Sequence, residues 1–190
     1  MIRHHGGMPA PRDLRDRIVG DFRWVHNPVD GGLYADITGW WRDPVTLHEI
    51  SCGLADLVRA DRPTVVLGLQ SRGTLLGALV AQHLHVGLIE VRKGITPQSD
   101  TDRLLIATTP PDYRDRHLRL GFPRGLISSS DRAVLIDDWI DTGGQALGVQ
   151  QLVHAADAAW LGAAVVVDGL SDNRIRRLLR VSSLVHLRHL

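Results

Sequence analysis

The chain has 190 residues, 44% of them hydrophobic and 23% charged, a composition that supports one sizeable core and excludes a disordered chain. Its net charge of +1 lacks the basic excess of nucleic-acid-binding proteins, and no apolar run is long enough to span a membrane. Cys52 is the only cysteine, which excludes an internal disulfide and fits a reducing compartment. We therefore expect a soluble, cytoplasmic protein of one domain, residues 1–190, with no nucleic-acid or membrane partner.

The N-terminal part of the sequence predicts one helix followed by a segment rich in turn signals. Apolar residues on one side of residues 12–20 predict a short, charged helix. Residues 21–44 contain Asn-Pro, Asp-Gly-Gly and Asp-Pro, which predict irregular structure. A long irregular segment inside a compact domain usually has a function. For its tryptophans we favour packing in the core.

A helix and a buried strand lead to the first turn with a candidate binding residue. Residues 46–60 have apolar residues at helical spacing, and residues 64–69 form an apolar run typical of a buried strand. We expect Cys52 on the apolar face of that helix, without a reactive role. Gln70-Ser71-Arg72-Gly73 then precedes a second helix. The guanidinium of Arg72 suits a pyrophosphate, and an exposed turn arginine is the alternative.

A second group of basic residues follows the third predicted strand, residues 86–91. Arg92 and Lys93 stand at its carboxyl end, and Lys93 is the only lysine in the chain. Residues 94–117 are polar and proline-rich. Within and after them, the apolar residues of 104–106 and 117–120 predict the two arms of a hairpin, and residues 121–132 predict a connector.

Residues 133–153 carry the strongest functional signal in the sequence. An apolar strand at residues 133–136 is followed by two acids, Asp137 and Asp138. A glycine turn, Thr142-Gly143-Gly144, comes next, and an amphipathic helix begins at Gln145. Ligands bind at the carboxyl ends of parallel strands, and a glycine turn before a helix presents free amides to a phosphate. Two carboxylates beside it suit ribose hydroxyls or Mg²⁺. Taken singly these are ordinary turn residues, but together they predict a pocket for a phosphorylated sugar.

The block at residues 133–153 resembles the phosphoribosyl-diphosphate (PRPP) signature of type I phosphoribosyltransferases. Ser71-Arg72-Gly73 before a helix resembles the pyrophosphate loop of the adenine-specific members, and Gly32-Leu33-Tyr34-Ala35-Asp36-Ile37-Thr38 resembles their N-terminal segment. The resemblance implies an α/β fold with a central, mostly parallel sheet flanked by helices. After the block at residues 133–153, the residue pattern itself predicts further strands at residues 161–168 and 181–187 and a helix at residues 174–180. The resemblance also implies a small N-terminal hood at about residues 21–44 and a mobile loop at about residues 94–117.

The same resemblance implies an activity and a set of site residues. The activity is transfer of the 5-phosphoribosyl group from PRPP to a nucleobase, most closely adenine, with release of pyrophosphate in purine salvage. Mg²⁺ on Asp137 and Asp138, a homodimer and a cis peptide between Gln70 and Ser71 are also implied. The residues implied to bind PRPP are Arg72, Arg92, Lys93, Asp137, Asp138, Asp141, Thr142, Gly143, Gly144 and Gln145. Those implied to bind the base are Leu33, Tyr34 and Ala35.

Two acids are candidates for handling the proton of the base. Asp141 stands where adenine enzymes carry Ala, and it is similar to an aspartate of the hypoxanthine-guanine branch that faces N7 of the purine. Asp112 falls where adenine enzymes have a glutamate near the base. The alternatives are a cap on the glycine turn for Asp141 and a turn aspartate for Asp112.

Other departures leave the substrate open. Ala35 replaces the basic residue of the hood, and Gln145 replaces a threonine. The alternatives are the same reaction on hypoxanthine or guanine, orotate or a specialised heterocycle, or a non-catalytic PRPP-sensing regulator.

Overall fold

The computed structural model describes residues 13–28, 31–95, 103–109 and 117–190. Asp112 and most of the expected mobile loop lie outside these ranges. In the described part of the chain, no helix is long and apolar enough to cross a membrane. The chain falls into two compact units, Met1–Leu47 and His48–Leu190, and each is described by itself.

The first unit contains a helix, a strand pair and a short second helix: α1 (Leu14–Gly20), β1 (Arg23–His26), β2 (Leu33–Asp36) and α2 (Thr38–Arg42). The strands pair antiparallel, with Trp24 opposite Ala35. The prediction of irregular structure for residues 21–44 was therefore wrong. Strands of four residues are too short to show an alternating pattern, so the turn signals between them dominate the sequence.

Trp40 lies in the centre of the first unit, where its side chain is only 1% exposed. Its Nε1 donates a hydrogen bond of 2.9 Å to the Ile18 carbonyl, which satisfies the one polar atom of the ring. Core packing is thus confirmed for Trp40. Trp24 packs edge-to-face on Phe22 at 5.1 Å between ring centroids, yet remains half exposed.

Helix α3 (Pro44–Arg59) crosses the boundary between the units and begins two residues earlier than predicted. Asp43 Oδ2 accepts a hydrogen bond of 2.7 Å from the Thr46 amide, and Pro44 occupies the first helical position. This is the arrangement of a side-chain cap followed by proline, so Asp-Pro here starts a helix rather than marking a loop.

The second unit is built on one seven-stranded sheet. Its remaining elements are β3 (Val65–Leu69), α4 (Arg72–Leu84), β4 (Gly87–Lys93), β5 (Leu104–Thr108), β6 (Arg119–Pro123), β7 (Arg132–Ile140), α5 (Gly144–Ala155), β8 (Ala159–Asp168), α6 (Asn173–Leu179) and β9 (Val181–His186). The strand order is β5-β6-β4-β3-β7-β8-β9. The pairs from β4 through β3, β7 and β8 to β9 are parallel, and β5 and β6 join antiparallel. The expected mostly parallel sheet is confirmed.

Strand β7 is longer than the sequence predicted. The acids were expected to follow the strand, but β7 continues through Asp137 and Asp138 to Ile140. Its pairing with β3 ends at Ile136, whereas its pairing with β8 continues to Ile140 opposite Asp168. The backbone of β8 therefore keeps this segment in the sheet, and the acids lie where β7 has lost its neighbour on one side.

Two further boundaries differ from the prediction. Arg92 and Lys93 are the last residues of β4 and pair with β6, so they belong to the strand. The hairpin of β5 and β6 is confirmed, but its second arm extends to Pro123 and takes residues from the predicted connector.

Candidate active site

The carboxylates of Asp137 and Asp138 stand at the open end of β7. Oδ1 of Asp137 accepts a hydrogen bond of 3.0 Å from the Asp138 amide. Burial raises the pKa of Asp137 well above its ordinary value, the charge of Asp138 raises it further, and the nearby Lys93 ammonium opposes both effects. Two carboxylates held together in this way form a site that a cation stabilises.

The turn between β7 and α5 has the geometry of an anion-binding loop. Gly143 adopts a φ of 79°, and a Cβ there would lie 2.7 Å from Cγ2 of Ile175, so only glycine fits. Oγ1 of Thr142 lies 3.4 Å from the Gly144 amide. The first turn of α5 contains no acidic residue, and its free amides carry the positive end of the helix dipole. A phosphate suits this place.

The turn from β3 to α4 lies directly against the two acids. The peptide bond between Gln70 and Ser71 is cis, as the resemblance implied. Oε1 of Gln70 accepts a hydrogen bond of 3.0 Å from the Lys93 amide, which joins the turn to β4. A Cβ on Gly73 would lie 2.7 Å from Oδ1 of Asp137, so glycine allows the close approach. Nη1 of Arg72 lies 3.1 Å from Oδ2 of Asp138.

Two adjoining cavities meet at the ends of β3, β4 and β7, and we refer to them together as the crevice. One has a volume of about 380 Å³ and is lined by Gln70, Ser71, Arg72, Lys93, Asp137, Asp138, Trp139 and Gln145. The other, about 350 Å³, extends along the glycine turn and is lined by Lys93, Leu118, Leu135, Asp137, Trp139, Ile140, Asp141, Thr142, Gly143, Gly144, Gln145, Ala146 and Val165. Cations, carboxylates and a helix N-terminus therefore face a common space.

The structure brings most of the expected PRPP-binding residues to the crevice, but not Arg92. Neighbouring residues of a strand point to opposite faces, and Lys93 is the one that lines the crevice. Nε of Arg92 instead contacts Oε2 of Glu90, two residues earlier, at 3.1 Å.

The residues expected to bind the base lie in β2, within the first unit. The side chains of Leu33 and Tyr34 are 66% and 51% exposed, and Ala35 is half-buried. Their role in binding a base stays a prediction. Asp112, the other candidate for the base proton, lies outside the described residues.

Comparison with known proteins gives the family. The adenine phosphoribosyltransferase of Synechococcus sp. (strain JA-3-3Ab) is 35% identical over 162 residues, which cover 82% of this chain and 85% of that protein. The enzyme of Nitrosospira multiformis is 32% identical over 149 residues, or 76% of this chain and 79% of that protein. The chain belongs to the adenine phosphoribosyltransferase family. No family model matches it.

Solved structures agree with this assignment. The crystal structure of adenine phosphoribosyltransferase from Rhodothermus marinus has a TM-score of 0.77 at 27% identity and covers 92% of this chain and 98% of that chain. The protein is thus a phosphoribosyltransferase, and the type I fold is confirmed.

Asp141 is the clearest departure from the adenine phosphoribosyltransferase pattern. It is exposed and lines the cavity along the glycine turn. Within the described residues, its carboxylate accepts no hydrogen bond from the turn, and the hydroxyl nearest the Gly144 amide is that of Thr142. The capping role considered for Asp141 is therefore absent, and its carboxylate is available to a ligand.

Trp139 lines the crevice but was not among the site residues that the sequence predicted. It lines both cavities. The signal was its spacing of two from Asp137, which places both on one face of a strand. That signal has meaning only if β7 extends past the acids.

Asp168 and Arg176 hold the loop that follows β8. Asp168 is buried, and its Oδ2 accepts a hydrogen bond of 2.6 Å from Nε of Arg176. Oδ1 of Asp168 also accepts from the Leu170 amide at 2.9 Å. The hydrogen bond to Asp168 raises the pKa of Arg176. The pair fixes α6, whose Ile175 packs on Gly143 of the anion-binding turn.

Proposed function

We propose that this protein transfers the 5-phosphoribosyl group of PRPP to adenine and releases pyrophosphate, as a purine salvage enzyme. One observation carries the proposal: Arg72, Lys93 and the acids of β7 line the same crevice as the glycine turn of α5. PRPP has a 5-phosphate, a diphosphate and two ribose hydroxyls, and the crevice offers a partner of matching chemistry for each.

The 5-phosphate is assigned to the turn of Thr142, Gly143, Gly144 and Gln145. The amides of the first turn of α5 donate to it, as do the Thr142 hydroxyl and the Gln145 amide. The diphosphate is assigned to Arg72 and Lys93, whose positive charges stabilise the charge that develops on the leaving group. The side chain of Arg92 is turned away from the crevice, so we assign it no contact with the diphosphate.

The residues fit a Mg²⁺ ion. Asp137 and Asp138 supply the hard oxygen ligands that this ion prefers. Burial raises the pKa of Asp137 and the charge of Asp138 raises it further, and a bound cation would offset both effects. When bound there, Mg²⁺ would help to neutralise the diphosphate.

Catalysis then depends on orientation and charge. A ring nitrogen of the base forms a bond to C1 of the ribose while the bond from C1 to the pyrophosphate oxygen breaks. The nearby carboxylates favour the positive charge that develops on the sugar. Asp141 takes the proton that the base loses, because its free carboxylate lies in the crevice.

The test is to incubate the purified protein with PRPP, Mg²⁺ and each of adenine, hypoxanthine, guanine and orotate, and to measure pyrophosphate. We expect the highest kcat/KM with adenine. Because Asp141 lines the crevice, a 6-oxopurine is the second candidate, and it is supported if hypoxanthine or guanine reacts faster. Tight PRPP binding without pyrophosphate release from any base would replace the enzyme with a PRPP-sensing regulator. Homodimerisation stays a prediction, which light scattering tests by measuring the mass of the protein in solution.

A further inference from the structure

Three side chains with metal-binding atoms converge on the α3–α4 side of the second unit. His48 and Cys52 are four residues apart on α3, and His83 lies in the last turn of α4. One ligand atom from each lies within 4.8 Å of the others. None of the three residues lines the crevice, so the proposed transfer reaction does not use them.

The thiol of Cys52 stands between the two imidazoles. Its Sγ lies 3.5 Å from Nε2 of His48 and 3.6 Å from Nε2 of His83. In a tetrahedral zinc site, bonds of about 2.3 Å to sulfur and about 2.0–2.1 Å to nitrogen place the two ligand atoms roughly 3.5–3.6 Å apart. Both separations therefore match those required around a single Zn²⁺ ion.

The helices that carry the ligands are held by the core. The residues Ile50 and Leu54 of α3 and Leu76 and Val80 of α4 are at most 1% exposed to solvent. The spacing of His48 and Cys52 puts both on the same face of α3. Side chains on two anchored helices lose less conformational freedom on binding than a cluster of mobile surface side chains, which favours metal binding.

Ser51 shows what a metal has to displace. Its hydroxyl donates a hydrogen bond of 2.8 Å to the His48 carbonyl and lies 3.1 Å from Nε2 of His83. While this hydroxyl donates to the His48 carbonyl, it can only accept from Nε2 of His83. Metal binding replaces this bond, and the proton of the imidazole moves to Nδ1 or is lost.

We propose that His48, Cys52 and His83 form a binding site for Zn²⁺ or a chemically similar divalent cation. Thiolate and imidazole select such ions over Mg²⁺, which prefers oxygen. Three protein ligands leave a fourth coordination position for water. The sequence placed Cys52 on an apolar helix face without chemistry, because His83 comes 31 residues later and only the fold brings it near.

Co²⁺ is the probe for the first test, with excess Mg²⁺ present to occupy the carboxylates of the crevice. We expect one equivalent of Co²⁺ to bind with a thiolate-to-cobalt absorption band. Since the chain has one cysteine, that band can arise only from Cys52. Absence of the band in the wild-type protein overturns the proposal.

Variants separate this site from other histidines. Cys52→Ser should abolish the band, and His83→Gln and His48→Gln should each weaken Zn²⁺ binding on the order of 100-fold or more. The controls are His154→Gln on α5 and the double variant His4→Gln, His5→Gln, which should bind as the wild type does. If either control lowers affinity as much as His83→Gln, the ion binds elsewhere.

Thermal unfolding gives a readout independent of the band and of activity. At a Zn²⁺ concentration 100 times Kd, the Tm of the wild type should rise by roughly 5–10 °C, because the ion stabilises only the folded state. Cys52→Ser should show no rise. Should Cys52→Ser fail to fold, the exposed His48→Gln decides: an unchanged rise in its Tm refutes the site.

Discussion

Arg72 and Asp138 form an ion pair across the mouth of the crevice, with 3.1 Å between Nη1 and Oδ2. Arg72 is the first residue of α4 and Asp138 is near the end of β7, so the pair joins the start of a helix to a neighbouring strand. The Arg72 side chain is 49% exposed and that of Asp138 is 13% exposed. Because half of the Arg72 side chain is exposed, its guanidinium is open to a second anionic partner, and we expect a diphosphate to compete with Asp138 for it.

Arg72→Gln should therefore impair PRPP use much more than folding. Loss of a charged, bidentate hydrogen-bond donor to a phosphate costs about 1.5–3 kcal/mol. This cost corresponds to a kcat/KM for PRPP that is lower by roughly 10- to 150-fold. The Tm should change by no more than about 3 °C. Steady-state kinetics with PRPP varied gives the first value, and Arg124→Gln, an exposed arginine outside the crevice, is the control. Wild-type kinetics in Arg72→Gln would remove the assigned contact.

Asp137→Asn should make the metal-free protein more stable at neutral pH. The pKa of Asp137 is raised in the folded state, so its carboxyl favours folding below the unfolded pKa of about 3.9, and this contribution is lost as pH rises through the folded pKa. The asparagine side chain cannot ionise, so the variant does not lose stability as the pH rises. Its Tm should exceed that of the wild type by a few degrees at pH 8 and by less near pH 4.

Mg²⁺ supplies the second half of that test. Millimolar Mg²⁺ with pyrophosphate should raise the Tm of the wild type but not of Asp137→Asn, because the variant has lost a charged ligand. Asp56→Asn, which removes an exposed carboxylate from α3, should respond as the wild type does. An equal Mg²⁺-dependent rise in both variants would place the ion away from β7.

Gly73→Ala should damage the crevice through crowding alone. The added Cβ would lie 2.7 Å from Oδ1 of Asp137 and 2.9 Å from the Ile136 carbonyl, so the α4 turn or β7 has to move. Overpacking of this kind costs about 1–3 kcal/mol, and the shifted turn should also weaken PRPP binding. Gly87→Ala is the matched control, because no atom lies within 4 Å of its added Cβ. Calorimetry and PRPP titration of both variants provide the comparison.

The sequence predicted elements whose signals are local. Strand β3 was placed within one residue, and the turn at Gln70-Ser71-Arg72-Gly73 was found because a strand, a turn and a helix follow in direct order. The end of β7 could not be found in this way. Its last residues stay in the sheet because β8 runs alongside them, and acids at positions 137 and 138 suggest a loop in any local reading.

Side-chain direction set the limit for the candidate site. Arg92 and Lys93 were treated as a pair because both were expected to follow the strand. Once they lie inside β4, alternation sends them to opposite faces, and only Lys93 reaches the crevice. The same error hid Trp139. Contacts such as that between Asp168 and Arg176 depend on how α6 folds back on β8, which no short pattern encodes.

Arg176→Gln should destabilise the second unit more than any exposed arginine does. Asp168 is 6% exposed in its side chain, so removing its partner leaves a buried carboxylate without a charge to balance it. Breaking a buried ion pair costs about 3–5 kcal/mol of unfolding free energy. Because Arg176 is partly exposed, we expect a loss of about 3 kcal/mol, which lowers the Tm by roughly 6–12 °C. Arg177→Gln on the same helix is exposed and should be nearly neutral. Similar Tm losses for the two variants would show that the ion pair is not what holds α6.

Asp141→Asn should slow the transfer step while leaving PRPP binding nearly intact. The carboxylate faces the crevice without a hydrogen-bond partner among the described residues, and an amide of the same size cannot take a proton from the base. Loss of general-base catalysis typically lowers kcat by about 100- to 10,000-fold. The affinity for PRPP, measured by calorimetry, should change by less than about threefold, because an acid beside the 5-phosphate contributes no attraction to it.

The choice of base makes this last test sharper. Turnover should be measured for Asp141→Asn and Asp141→Ala with adenine and with hypoxanthine, and Asp157→Asn provides an exposed control. If kcat falls with both bases, Asp141 handles the proton in either reaction. If it falls with hypoxanthine alone, Asp141 serves only a 6-oxopurine substrate, which is the role of the hypoxanthine-guanine aspartate that it resembles. Unchanged turnover with both bases would remove Asp141 from the mechanism and leave proton transfer to Asp112 or to water.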